Sequence, residues 1–298
     1  MPSRVALGLF LGFIGVLIFG ATLPATRLAL TGLSPDFLTF GRAALAGLVA
    51  GALLLVRGRS VPRHPGVMLD LAVVVATLIF GFPLLMGFAT LTVPVAHAGV
   101  VLGLLPLATV AGAAALAGER PSRAFILLSL LGAGVVVAFA LRNGGADRFG
   151  FGDTLLVLSV VACGIGYPVG ARLARHMEAW EVISWALVLA LPLTLPLSVL
   201  TFPAHVAAVP AGAWAGMLYV ALMSQYVGFF FWNAGLVLGG ISRVSQVQLL
   251  QTFVTVGLAW PVNGEVPDLE TLLFAAAVVG IVALGRGAKV RTVAVAGP

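Results

Sequence analysis

Ser245, Gln248 and Thr252 follow one another at three and four residues, the spacing of one helix face, with Gln251 beside them and Gln246 off that face. A primary amide both donates and accepts hydrogen bonds. Such a face can hold the ammonium and the carboxylate of an amino acid without fixing a charge. The same groups can also join two helices, so the face is read as a candidate substrate contact. A second stripe comprises Tyr219, Met223, Tyr226, Phe230 and Asn233, again at helical spacing, with Gln225 and Trp232 off it. Its hydroxyls and amide are costly against lipid, which makes Tyr226, Phe230 and Asn233 further candidates. Ser159, Cys163 and Tyr167 form a third, and Tyr167 joins the candidate set.

His97 can change charge near neutral pH and could bind a carboxylate or carry a proton; an interfacial histidine with no special role is the alternative. Pro168 and its counterpart Pro24 each remove a backbone donor and can bend a helix; they are read as a hinge pair or as the ends of two segments. Arg42 either reaches helix-end carbonyls, snorkels to the surface or touches substrate.

Catalysis would require a nucleophile with a base, or a carboxylate pair. Only serines, Cys163 and His97 are available, and none stands in an activating arrangement, so no catalytic residue is assigned. No metal-ligand spacing and no phosphate loop occurs, and no metal and no cofactor is expected. One cysteine excludes an intrachain disulfide. No carboxylate falls near the middle of an apolar segment. Proton relays commonly use such groups, so weakly coupled or facilitative transport is expected.

These side chains sit in an unusual background. Of 298 residues, 61% are apolar and 9% charged, against roughly 25% charged in soluble domains. The natural solvent is lipid. The net charge of +6 comes from residues scattered in short gaps, so it reads as topology charge and not as a nucleic-acid surface. The first apolar run resembles a signal peptide but is about as long as a membrane span and is read as a retained helix. A span takes roughly 20 apolar residues and must be helical. Ten segments qualify: 5–23, 37–56, 68–89, 95–116, 124–141, 154–171, 179–200, 211–235, 241–262 and 270–285. Alternate gaps then carry twelve basic residues on the side of the N-terminus and three on the other, with Arg42 left out. Both termini are therefore expected in the cytoplasm.

The two halves resemble each other. Arg27-Leu28-Ala29 recurs as Arg172-Leu173-Ala174, Gly20 and Pro24 echo Gly164 and Pro168, and Gly118-Glu119-Arg120-Pro121 recurs as Gly264-Glu265-Val266-Pro267. The offset stays between 144 and 146. Five spans per half, in 1–145 and 146–298, make an inverted repeat, which can open to either side by exchanging conformations. Pairs such as Gly8/Gly12, Gly47/Gly51, Gly99/Gly103 and Gly166/Gly170 permit close helix approach.

Two five-helix halves, Thr39-Phe40-Gly41-Arg42 early in the second span, Leu105-Pro106-Leu107 in the fourth, and the paired Gly-Glu-x-Pro segments resemble the drug/metabolite transporter superfamily, EamA branch. Thr252 stands where the proline would recur, and Leu187 stands opposite Arg42. Within the branch, size and the aromatic eighth helix resemble YddG-type aromatic amino-acid exporters. The resemblance implies a bacterial inner-membrane exporter of aromatic and other neutral amino acids and related metabolites, for which a monomer suffices. Export of drugs or other cations is the alternative, with a channel or an intramembrane enzyme from other classes.

Overall fold

In the computed structural model, described over residues 4–143, 150–285 and 290–292, apolar segments form long helices joined by short gaps. Seven are long and apolar enough to cross a membrane: α1 (Arg4–Ala29), α2 (Pro35–Val56), α3 (Pro65–Ala89), α4 (Val95–Leu116), α6 (Phe151–Leu173), α7 (Ala179–Leu200) and α8 (Ala211–Gly239). Three more helical rods complete the described chain: α5 (Arg123–Asn143), α9 (241–263) and α10 (Leu269–Gly285). Two strands of three residues, which the sequence reading did not anticipate, pair antiparallel: β1 (Glu119–Pro121) and β2 (Val290–Thr292). The boundary at 145/146, Arg148, Arg286 and Lys289 lie outside the described residues.

Glycine sets how closely the helices meet. α1 lies along α8, where a Cβ on Gly8 would come 2.4 Å from the Gly239 nitrogen. α4 lies along α6, where a Cβ on Gly112 would come 1.8 Å from the Gly164 carbonyl oxygen. α3 also packs on α6, α2 on α7, and α5 on α10. The glycine pairs read from the sequence are thus used within the chain: Gly47 faces Leu191, Gly99 faces Thr255, and Gly166 faces Leu78. Without a hydrophobic force between helices in lipid, backbone proximity of this kind is what holds a bundle together.

The departures from regular helix come in pairs. A π-helical stretch occupies Val75–Gly81 in α3 and Tyr219–Val227 in α8, and an offset of 146 carries 75–81 onto 221–227. A 3₁₀ turn interrupts α4 at Leu102–Leu104 and α9 at Gln246–Gln248. The Gly-Glu segments are paired as well. Gly118 and Gly264 take left-handed φ of 72° and 73°, the conformation that ends helices on glycine. Glu119 then accepts hydrogen bonds from the backbone N–H of Ile241 at 3.0 Å and Ser242 at 2.9 Å, and from the Ser242 hydroxyl. Glu265 accepts from the N–H of Val95 at 2.8 Å and Ala96 at 3.3 Å. Each carboxylate satisfies orphan donors at the start of the other half's helix, where the helix dipole favours negative charge. The sequence motif is therefore a pair of reciprocal caps, one at the face where α1 begins (the near face) and one at the far face.

Other ties close the same two faces. At the near face Arg172 holds Asp70 in a fork, with Nε–Oδ2 at 2.9 Å and Nη2–Oδ1 at 2.5 Å, and donates to the Leu116 carbonyl at 2.8 Å. Arg59 bonds Glu178, and its Nε lies 2.7 Å from Glu181 Oε1, an ion pair by distance outside hydrogen-bond geometry. The exposed Glu178 carboxyl is held below the usual carboxylate range, first by the indole N–H of Trp180 and then, against some desolvation, by Arg59. At the far face Asn263 donates to the Pro24 carbonyl at 3.1 Å, and Arg27 donates to that of Thr90.

Candidate functional site

The π-helical stretches of α3 and α8 both reach one cavity, through Leu78 and through Ser224 and Gln225. Its wall comprises Phe19 and Thr22 from α1, Arg42 from α2, Leu78 and Phe82 from α3, Leu102 from α4, Tyr167 from α6, Ser224, Gln225 and Phe229 from α8, and Gln251 from α9. Its free volume is about 20 Å³, room for a water molecule or two. An amino acid therefore fits only after the walls separate.

A polar chain crosses one side of this cavity. Thr22 and Ser224 share a hydrogen bond of 2.8 Å between hydroxyls, and Arg42 Nη2 donates to Ser224 Oγ at 3.3 Å. Gln225 donates from Nε2 to the Leu78 carbonyl at 3.2 Å, tying one π-helical stretch to the other. The opposite side is aromatic. Phe19 meets Phe229 edge-on with centroids 5.2 Å apart, and Tyr167 packs on Phe229 at 6.2 Å and on Trp232 at 5.4 Å.

Arg42 is only 2% exposed. Lying seven residues into α2, it is about 10 Å from the helix start at 1.5 Å per residue, and it does not snorkel. Among the described residues no carboxylate lies within ion-pair distance of it, and its Nε has no hydrogen-bond partner. A guanidinium stays charged in proteins, and a charge inside a membrane-spanning segment is costly unless it is paired.

The residues singled out from the sequence are distributed unevenly. Tyr167 and Gln251 line the cavity. Tyr226, Phe230 and Asn233 do not: Tyr226 shares a 3.0 Å hydrogen bond with Ser184 of α7, Phe230 packs edge-on against Tyr226 at 4.7 Å, and Asn233 donates to the Ala179 carbonyl at 3.4 Å. They bind α8 to α7. The stripe as a whole lies off the cavity: Tyr219 donates to the Ile18 carbonyl at 2.9 Å, and Met223 is exposed. Ser224, Gln225 and Phe229 come to the cavity instead.

In α9, Gln251 alone of the candidates reaches the wall. Ser245 donates to the Ser242 carbonyl at 3.0 Å. Gln248 is buried with neither amide atom paired among the described residues, as is Gln246, and Thr252 is buried nearby in sequence without reaching the wall. His97 sits at the far face, its Nε2 2.8 Å from Asp153 Oδ1. Of the proposed hinge pair, Pro24 follows a break in α1 at Ala21, whereas α6 runs unbroken through Pro168. Seven lining residues escaped the sequence reading altogether: Phe19, Thr22, Leu78, Phe82, Leu102, Ser224 and Phe229; Thr22 and Ser224 were legible as hydroxyls in apolar runs, whereas the other five carried no signal.

The described residues hold no group of three or more His, Cys, Asp or Glu side chains placed to bind a metal. Comparison with known proteins gives a consistent picture. Over 248 residues the chain is 47% identical to the uncharacterized transporter YdeK of Bacillus subtilis (strain 168), covering 83% of this chain and 86% of that one. It is 24% identical over 278 residues, 91% of each chain, to a protein of Streptantibioticus cattleyicolor named as a probable terminal-alkyne amino-acid exporter. A protein of known crystal structure matches with a TM-score of 0.64 at 23% identity, over 93% of this chain and 97% of that one. The model of the EamA-like transporter family matches residues 6–140 and again 150–285. With both stretches matched, the chain belongs to the EamA-like transporter family and is a multi-pass membrane transporter.

Proposed function

We propose that this transporter exports amino acids, aromatic and other neutral ones, and related small metabolites across the bacterial inner membrane. Ten spans in two inverted halves, 1–145 and 146–298, would enclose the site, with both termini in the cytoplasm. The observation that carries the reading is a cavity between the halves that joins an aromatic wall to a polar one, with helix ties above and below it. Few, well-placed polar groups in an apolar enclosure suit small metabolites. The caps at the two faces are alike in construction, so opening one while the other holds gives alternating access. The exporter named among the relatives acts on an amino acid, which supports the substrate class.

With no carboxylate on the wall, the working mode is facilitated or weakly coupled movement down the substrate gradient. The same wall argues against cationic drugs, because its one charge is positive. The test is uptake of labelled phenylalanine, threonine and methionine by liposomes holding the purified protein, with and without a pH gradient. Saturable uptake without the gradient is expected. Uptake that depends on the gradient and is lost in His97→Ala would replace facilitation by proton coupling. No uptake of any of the three would end the amino-acid assignment and leave the family membership standing.

A further inference from the structure

We infer that Arg42 and Gln251 form a two-point clamp for a zwitterion, Arg42 taking the substrate carboxylate and the Gln251 amide oxygen taking its ammonium. The inference rests on the reading of this cavity as the transport site. Two unsatisfied groups carry it. The Arg42 guanidinium lines the cavity, is buried, and has only Ser224 Oγ as a hydrogen-bond partner, at 3.3 Å, with Nε free among the described residues. Gln251 lines the same cavity, and its Oε1 is buried with no donor among the described residues.

The described carboxylates are placed elsewhere. Asp70 pairs with Arg172, Asp153 with His97, and Glu178 and Glu181 with Arg59; Glu119 and Glu265 cap helices, Asp268 accepts from the Thr271 N–H, and neither Asp36 nor Glu270 forms an ion pair with Arg42. The balancing anion for Arg42 is therefore not among them. A planar guanidinium with a free edge matches a carboxylate in a way an ammonium group does not. An amide oxygen without a donor matches an N–H. One ligand class supplies an anion and a cationic donor on adjacent atoms: α-amino acids. Their side chains would lie toward Phe19, Tyr167 and Phe229, and no charge on the wall favours a basic one. Neither clamp residue has a like partner in the other half, since Leu187 stands opposite Arg42 at an offset of 145 and Leu105 opposite Gln251 at 146.

The experiment uses purified full-length protein, both in liposomes and in detergent. Uptake is compared for phenylalanine, for phenylalaninamide, which lacks the carboxylate, and for 3-phenylpropionate, which lacks the amine. Thermal stabilisation by each compound is measured in parallel. Wild type should prefer phenylalanine over both analogues. Arg42→Gln should raise KM for phenylalanine about tenfold or more, the size of one lost charge-assisted pair, and erase discrimination against phenylalaninamide. Gln251→Leu should leave stabilisation by 3-phenylpropionate unchanged and reduce the preference for phenylalanine over it.

Phenylalanine uptake by wild type that accepts phenylalaninamide equally, or that survives Arg42→Gln with its selectivity intact, would overturn the clamp while the export reading stands. Stabilisation by 3-phenylpropionate that needs Arg42, without amino-acid uptake, would keep the anion site and remove the amino-acid reading. Neither uptake nor stabilisation removes both. Should Arg42→Gln fail to fold, the wild-type selectivity and Gln251→Leu decide.

Discussion

The ends of the bundle and its centre follow different rules. At the ends the two halves do the same thing: Glu119 caps α9 at the near face as Glu265 caps α4 at the far face, each behind a glycine of matching left-handed φ. At the centre they differ. Arg42 comes from one half and Gln251 from the other, and leucines stand at their repeat positions. The duplication survives in the caps at the two faces. It is broken at the cavity, where on the function proposed above a substrate without twofold symmetry is held. The scaffold and the site can therefore be perturbed separately.

The largest effect expected lies in the scaffold. Gly112→Val places side-chain atoms where a Cβ alone would be 1.8 Å from the Gly164 carbonyl oxygen, and a backbone atom cannot yield as a side chain can. No folded monomer should be recovered on size exclusion; wild-type elution would show that α4 and α6 are not in contact. Next come the caps. Glu119→Ala leaves buried donors at the start of α9 and should cost about 3 kcal/mol, the range for hydrogen bonds to charged groups. Glu265→Ala should cost less, because it loses two donors and not three. Melting temperatures in detergent test this, and a large inequality in the reverse direction would break the symmetry argument.

A smaller effect sharpens the comparison from inside. Gln248 is buried with both amide atoms unpaired among the described residues, so the closed state bears a desolvation cost that an open, wetted state would relieve. Gln248→Leu should raise the melting temperature, by the equivalent of about 1 kcal/mol, and slow transport. Higher stability with unchanged turnover would dissociate Gln248 from the opening step. The smallest effect belongs to Tyr226→Phe, which deletes the bond to Ser184. Stability should fall by about 1 kcal/mol or less with KM within about twofold of wild type. A large rise in KM would return Tyr226 to the substrate wall.

Much of the scaffold was readable from order and offset alone. Gly118-Glu119 and Gly264-Glu265 stood out as a repeat, although their reciprocal role did not, because a cap's partner lies more than 100 residues away in the other half. The cavity was legible only in part. Tyr167 and Gln251 were found as polar groups in apolar helices. Tyr226, Phe230 and Asn233 share a helix face as counted, but that face meets α7 through Ser184 and Ala179 and does not line this cavity. Arg42 was visible, but a sequence cannot distinguish an arginine that reaches the surface from one held beside Ser224 in the core.

Hydrophobic length and composition bind every segment wherever it packs, so the residue order alone places this chain in lipid, makes its backbone helical and reveals that its halves repeat. Tertiary structure alone decided which face of each helix looks inward. That choice depends on which helices meet, as where the Gln225 amide finds the Leu78 carbonyl 147 residues away.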